Sequence, residues 1–91
     1  LNAPVVRTVT IRNKRGLHAR ASAKFVTLAT SFDATVEVSK DGSSVCGTSI
    51  MGLMMLAAAP GDDVVITGTG LGAEQAVAAL AKLVEDKFGE D

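Results

Sequence analysis

A chain of 91 residues, 47% of them hydrophobic, suits one small domain spanning residues 1–91, with a modest core that needs neither disulfide nor metal. Its one cysteine, Cys46, excludes an internal disulfide and fits a reducing cytoplasm. The net charge of −1 and the lack of Trp and Tyr argue against nucleic-acid binding, and the longest apolar run is far short of the ~20 residues a membrane helix needs.

The opening "LNAPVVRTVT" carries no visible signal peptide. Its continuation, "VVRTVTIRN", is rich in β-branched residues and alternates, with Val5, Val9 and Ile11 on one side and Val6, Thr8, Thr10 and Arg12 on the other. That pattern predicts a half-buried strand, and "NKRG" then supplies turn chemistry. From Leu17 the period changes. Leu17, Ala21, Phe25, Leu28, Ala29 and Phe32 share one helical face and Arg20, Lys24, Thr27 and Ser31 another, which predicts an amphipathic helix from His18 or Ala19 to Thr30.

"DATVEVSK" alternates as a second strand, "KDGS" reads as a hairpin turn, and "SVCG" is its short partner, with Cys46 expected to be half-buried. "TSIMGLMML" predicts a short helix from Ser49 to Leu56, closed by Pro60 and Gly61. "DDVVITGTG" is a fourth strand, whose Asp62 and Asp63 read as a solvated strand entrance. "GTGLGA" resembles a dinucleotide loop only superficially, since a single helix follows it. That last helix is expected from Gly72 to Phe88, with Ala73, Ala76, Val77, Leu80, Leu83, Val84 and Phe88 inward and "GED" left as a polar tail. The order β-α-β-β-α-β-α predicts an α+β fold: an open-faced sandwich with one four-stranded antiparallel sheet and three helices on one face.

Charge is distributed unevenly. Arg7, Arg12, Lys14, Arg15, Arg20 and Lys24 precede the first acid, Asp33, whereas ten acids and three lysines follow from there. A one-sided field of this kind attracts an anion or an acidic partner. Within the basic third, "NKRGLHARASAKF" holds the chain's only histidine, His18, at a predicted helix start. Helix starts present unpaired N–H groups and partial positive charge, both favourable to phosphate. Arg20 adds a cation that can bridge phosphate oxygens, and Gly16 allows a sharp turn with close approach. A neutral imidazole is a nucleophile able to form a covalent intermediate. The residues alone leave two readings open: a solvated histidine at a helix cap, or a histidine that accepts a phosphoryl group. One His and one Cys are too few ligands for zinc, and no G-x-S-x-G elbow accompanies the histidine.

"GLHARASA" resembles the active-site motif of the HPr family, the histidine-containing phosphocarriers of the phosphoenolpyruvate-dependent phosphotransferase system, and "TSIMGLMML" resembles that family's second motif. The two motifs stand in the family's order at a similar separation, and the resemblance covers essentially the whole chain. It implies a carrier that is not an independent enzyme and needs no cofactor. It also implies that enzyme I phosphorylates His18 on Nδ1, that Arg20 assists, and that the phosphoryl group passes on to an enzyme IIA, in either the sugar or the nitrogen-related branch. Gly16, Leu17 and Ala19 would complete the phosphate cradle around the histidine. Ala21 departs from the family, which has proline there.

Ser49 fits two compatible roles, as N-cap of the short helix and, as the resemblance implies, as a target of a regulatory kinase of the HPr kinase/phosphorylase type. Ile50, Met51 and Met54, with Arg20 and Lys24, form the expected partner-facing set, while Leu53 and Leu56 are assigned to the core. The expected protein is a cytoplasmic monomer. A regulatory module of the same fold, docking to a transcriptional regulator or a kinase, is the rival from another class, and retention of His18 beside Arg20 favours the carrier. A small ligand-binding α/β domain is a weaker third, because an open sandwich of this size offers little room for a pocket.

Overall fold

The structure is a computed structural model that describes residues 3–90. Strands β1 (Val5–Thr10), β2 (Thr35–Lys40), β3 (Ser43–Cys46) and β4 (Asp63–Thr69) alternate with helices α1 (Ala19–Ala29), α2 (Ile50–Met55) and α3 (Ala73–Glu85). The sheet runs β1-β4-β2-β3, antiparallel throughout. The N-terminal strand therefore pairs with the last one, Val9 opposite Val64, and β4 is also paired with β2, Val38 opposite Ile66. Asp41 and Gly42 both take positive φ in the β2–β3 turn, as an Asp-Gly hairpin requires.

Alternation decides which side of each strand is buried. Val9, Val36, Val38, Val64 and Ile66 point under the helices and meet Phe25, Leu53, Val77, Leu80 and Val84. Full burial of one such side chain contributes about 1.5–3 kcal/mol. Close approach of α3 depends on Gly68, where a Cβ would stand 2.7 Å from a Val77 methyl carbon. The other face of the sheet is open, so the α+β open-faced sandwich is the observed architecture. No helix among the described residues is long and apolar enough to cross a membrane.

Four details differ from the sequence expectations. The first strand stops at Thr10, because Ile11 pairs with loop groups instead: its N–H donates to Asp62 O and its carbonyl accepts from Gly61 N. Asn13 in the "NKRG" turn is fully buried. Cys46 is exposed, because it lies opposite Glu37 on the open face. The last helix ends at Glu85, not at Phe88: Lys87 and Phe88 take left-handed φ values of 59° and 55°, which turn the chain back and bury the Phe88 ring.

Candidate functional site

The loop from Asn13 to His18 is built around its own backbone. Gly16 has φ 63°, and a Cβ there would fall 2.2 Å from the Ala58 carbonyl oxygen, so glycine is required by both conformation and space. Leu17 N–H donates to that same Ala58 oxygen at 3.0 Å, tying the loop to the segment after α2. Asn13 Nδ2 donates to Gly16 O at 2.8 Å, and Gly16 O also accepts from His18 N–H at 2.9 Å. Ser22 Oγ, buried in the first turn of α1, donates to Leu17 O.

His18 thereby occupies the N-cap position of α1 with extended backbone angles, φ −73° and ψ 178°. Its side chain does not cap the helix, and no acid lies in the first turn. The N–H groups of Ala19 and Arg20 point out of the helix start without an intrahelical acceptor, an arrangement that suits an anion. The expected cradle is thus narrower than the motif suggests. The N–H groups of Gly16, Leu17 and His18 are already engaged within the loop, and those that follow remain available.

The imidazole is largely covered, with 13% of the side chain exposed. Its Nε2 lies 2.6 Å from Glu90 Oε2, a contact across 72 residues of sequence. A carboxylate only accepts, so Nε2 donates in this contact, and in the neutral ring the lone pair is then on Nδ1. Nδ1 has no hydrogen-bond partner among the described residues. Asn13 Nδ2 steadies the other carboxylate oxygen, Glu90 Oε1, at 3.1 Å, while Asn13 Oδ1 is buried without a partner. The hydrogen bond from His18 holds the Glu90 carboxyl below the usual glutamate range; Asn13 and Lys24 act in the same direction and desolvation opposes them.

Arg20 is exposed and has no ion-pair partner among the described residues. It lines a shallow groove on the outer side of α1 with Ala23, Lys24, Thr27 and Leu28. Lys24 has a second task there, since its Nζ donates to Phe88 O at 2.7 Å and holds the C-terminal turn against α1. Helix α2 packs beside α1. Ser49 caps it, accepting from Gly52 N at 2.9 Å. Leu53 is fully buried and Leu56 nearly so, whereas Ile50 and Met54 are exposed at 40% and 41%, Met51 at 70% and Met55 at 79%. Met55, omitted from the expected set, is the most exposed of the four. No group of three or more His, Cys, Asp or Glu residues that could hold a metal occurs among the described residues.

Sequence reasoning missed two residues at this site. Asn13 had a signal, because an Asn three positions before a turn glycine can hydrogen-bond its own backbone. Glu90 had none: an acid in a polar tail looks the same whether or not the tail folds back.

The family model described as "PTS HPr component phosphorylation site" matches residues 5–86. The chain is 48% identical over 84 residues to the "Phosphocarrier protein HPr" of Cupriavidus necator, covering 92% of this chain and 94% of that one. It is 40% identical over 84 residues to the "Phosphocarrier protein NPr" of Shewanella violacea, covering 92% of both. The solved structure of HPr-C-His from Thermoanaerobacter tengcongensis superposes with a TM-score of 0.91 at 42% identity, over 96% of this chain and 98% of that one.

Proposed function

The chain belongs to the HPr family of phosphotransferase-system phosphocarriers, and from that premise we propose that His18 is its phosphoryl acceptor, taking the group on Nδ1 from phospho-enzyme I and giving it to an enzyme IIA. A phosphocarrier is not a catalytic enzyme, and phosphoryl transfer asks little covalent machinery of the carrier beyond positioning and charge. The observation that carries the reading is the pairing of His18 Nε2 with Glu90, which engages that nitrogen and leaves Nδ1 without a hydrogen-bond partner among the described residues, at the uncapped start of α1. Arg20, unpaired among the described residues, supplies a mobile cation for the phosphoryl oxygens.

Incubation with phosphoenolpyruvate and purified enzyme I should add one phosphate to the protein, detected by mass spectrometry and lost in acid. The His18→Ala protein should gain none. A variant without His18 that still became phosphorylated would overturn the assignment.

The exposed Ile50, Met51, Met54 and Met55 lie on α2, which packs beside α1, and Arg20 and Lys24 line a groove on α1; together they offer apolar and cationic surface suited to partners with apolar and acidic faces. Ser49 lies at the head of that patch. A phosphate on its hydroxyl would add about −1.5 to −2 charge at the helix start and repel an acidic partner with little refolding.

A further inference from the structure

Glycine at position 16 solves one problem and creates another. Ala58 O comes so close that no Cβ fits, and φ is 63°, so the residue has to be glycine. A glycine populates positive and negative φ with similar ease and does not fix a peptide plane by itself. His18 lies two residues further on. Freedom at Gly16 is therefore passed to the imidazole and to the N–H groups at the start of α1, where small misplacements are costly to a reaction.

Asn13 removes that freedom. Its side chain is fully buried, and Nδ2 donates to Gly16 O at 2.8 Å. The same oxygen accepts from His18 N–H at 2.9 Å. The N–H of that peptide, which belongs to Leu17, donates to Ala58 O at 3.0 Å. Flipping the Gly16–Leu17 peptide would break these three hydrogen bonds together. The turn is closed once more by the Asn13 carbonyl, which accepts from Gly16 N–H at 3.2 Å. Asn13 Oδ1, in contrast, is buried without a partner. An unpaired buried acceptor is destabilising, so filling the core is not what this side chain does best.

We propose, resting on the reading of His18 as acceptor, that Asn13 is a positioning residue for phosphoryl transfer that acts through the Gly16 carbonyl: it holds the Gly16–Leu17 peptide in one orientation and so fixes where α1 begins and where His18 stands. Asn13 exchanges no atom, proton or electron with the phosphoryl group. It supplies the restraint that the glycine gives up, from a side chain whose own position is set by burial. Nδ2 also donates to Glu90 Oε1 at 3.1 Å, and the two contacts are separated by experiment.

The intact protein is compared with Asn13→Ala, which removes the donors, and with Asn13→Asp, which keeps the size and replaces the donor by an acceptor. In the wild type, NMR should show a scalar coupling across the hydrogen bond from Asn13 Nδ2 to the Gly16 carbonyl carbon. The Leu17 and His18 amides should be free of millisecond exchange in the wild type and show it in both variants. In single-turnover phosphorylation by phospho-enzyme I, the maximal rate should fall about tenfold in each variant, less than the ~100-fold that a 1 Å misplacement can cost. Half-saturation should stay unchanged, because the buried Asn13 side chain has no surface to offer a partner. The same fall should appear when either substitution is added to Glu90→Ala. A wild type without the coupling, maximal rates within twofold of wild type, or no further fall in the Glu90→Ala background overturns the proposal. The wild-type coupling and the near-isosteric Asn13→Asp keep the test decisive if Asn13→Ala does not fold. A wild type that takes up no phosphate overturns the acceptor reading and the positioning role with it, whereas the coupling decides separately whether Asn13 holds the Gly16 carbonyl.

Discussion

Because its ionised form is favoured by the hydrogen bond from His18, with Asn13 and Lys24 also close, the Glu90 carboxyl titrates below an ordinary glutamate, which lies at about 4.3. A folded-state pKa depressed in this way gives a contribution that is complete above the ordinary value. That contribution disappears as pH falls through the depressed one. The tail should thus remain docked on His18 at neutral and mildly acidic pH and release only in stronger acid. The carboxyl 13C shift of Glu90 should titrate below the ordinary midpoint in the wild type and move back up in His18→Ala; equal midpoints would show that the contact contributes nothing in solution.

Among the elements, α2 is the one whose two faces have separate tasks. Leu53 and Leu56 fasten it to the core while the methionines stay outside, and its six residues are too few for stability from propensity alone. The Ser49 cap therefore matters. Ser49→Ala, which removes the acceptor for Gly52 N, should cost about 1 kcal/mol in chemical denaturation. Ser49→Asp keeps an acceptor at the cap and should be as stable as wild type, yet take phosphate from enzyme I more slowly because of its charge. If both substitutions lowered stability equally and left the rate unaltered, Ser49 would be a cap and nothing more.

For the molecule as a whole, the charge distribution predicts how partners should approach. Six cations and no acid precede Asp33, and two of the six, Arg20 and Lys24, line one groove on α1. Association steered by such a field is screened over about 8 Å at physiological ionic strength. The second-order rate of phosphoryl uptake should accordingly fall as salt rises, while the single-turnover maximum stays nearly constant. Stopped-flow measurement against added NaCl checks this, and a salt-independent second-order rate would remove the steering argument.

Much of this was legible in the chain before any coordinates. Periodicity gave seven elements in order, because burial on one face imposes a period of two on strands and 3.6 on helices. The motif around His18, the Ser49 cap and the division of α2 into core and surface residues were equally readable, since each depends on neighbours a few positions away. What periodicity could not reach was set by contacts distant in sequence. Cys46 is exposed because β2 places Glu37 opposite it on the open face. The last helix gives way to a left-handed turn because the Phe88 ring finds the core only by reversing the chain. Residue types and local spacing left His18 open as a helix cap or a phosphoryl acceptor, and the resemblance of its motif favoured the acceptor. The resemblance already implied Nδ1 as the phosphorylated nitrogen, but only the tertiary structure brings a carboxylate from 72 residues away onto Nε2, because that contact leaves no trace in local spacing.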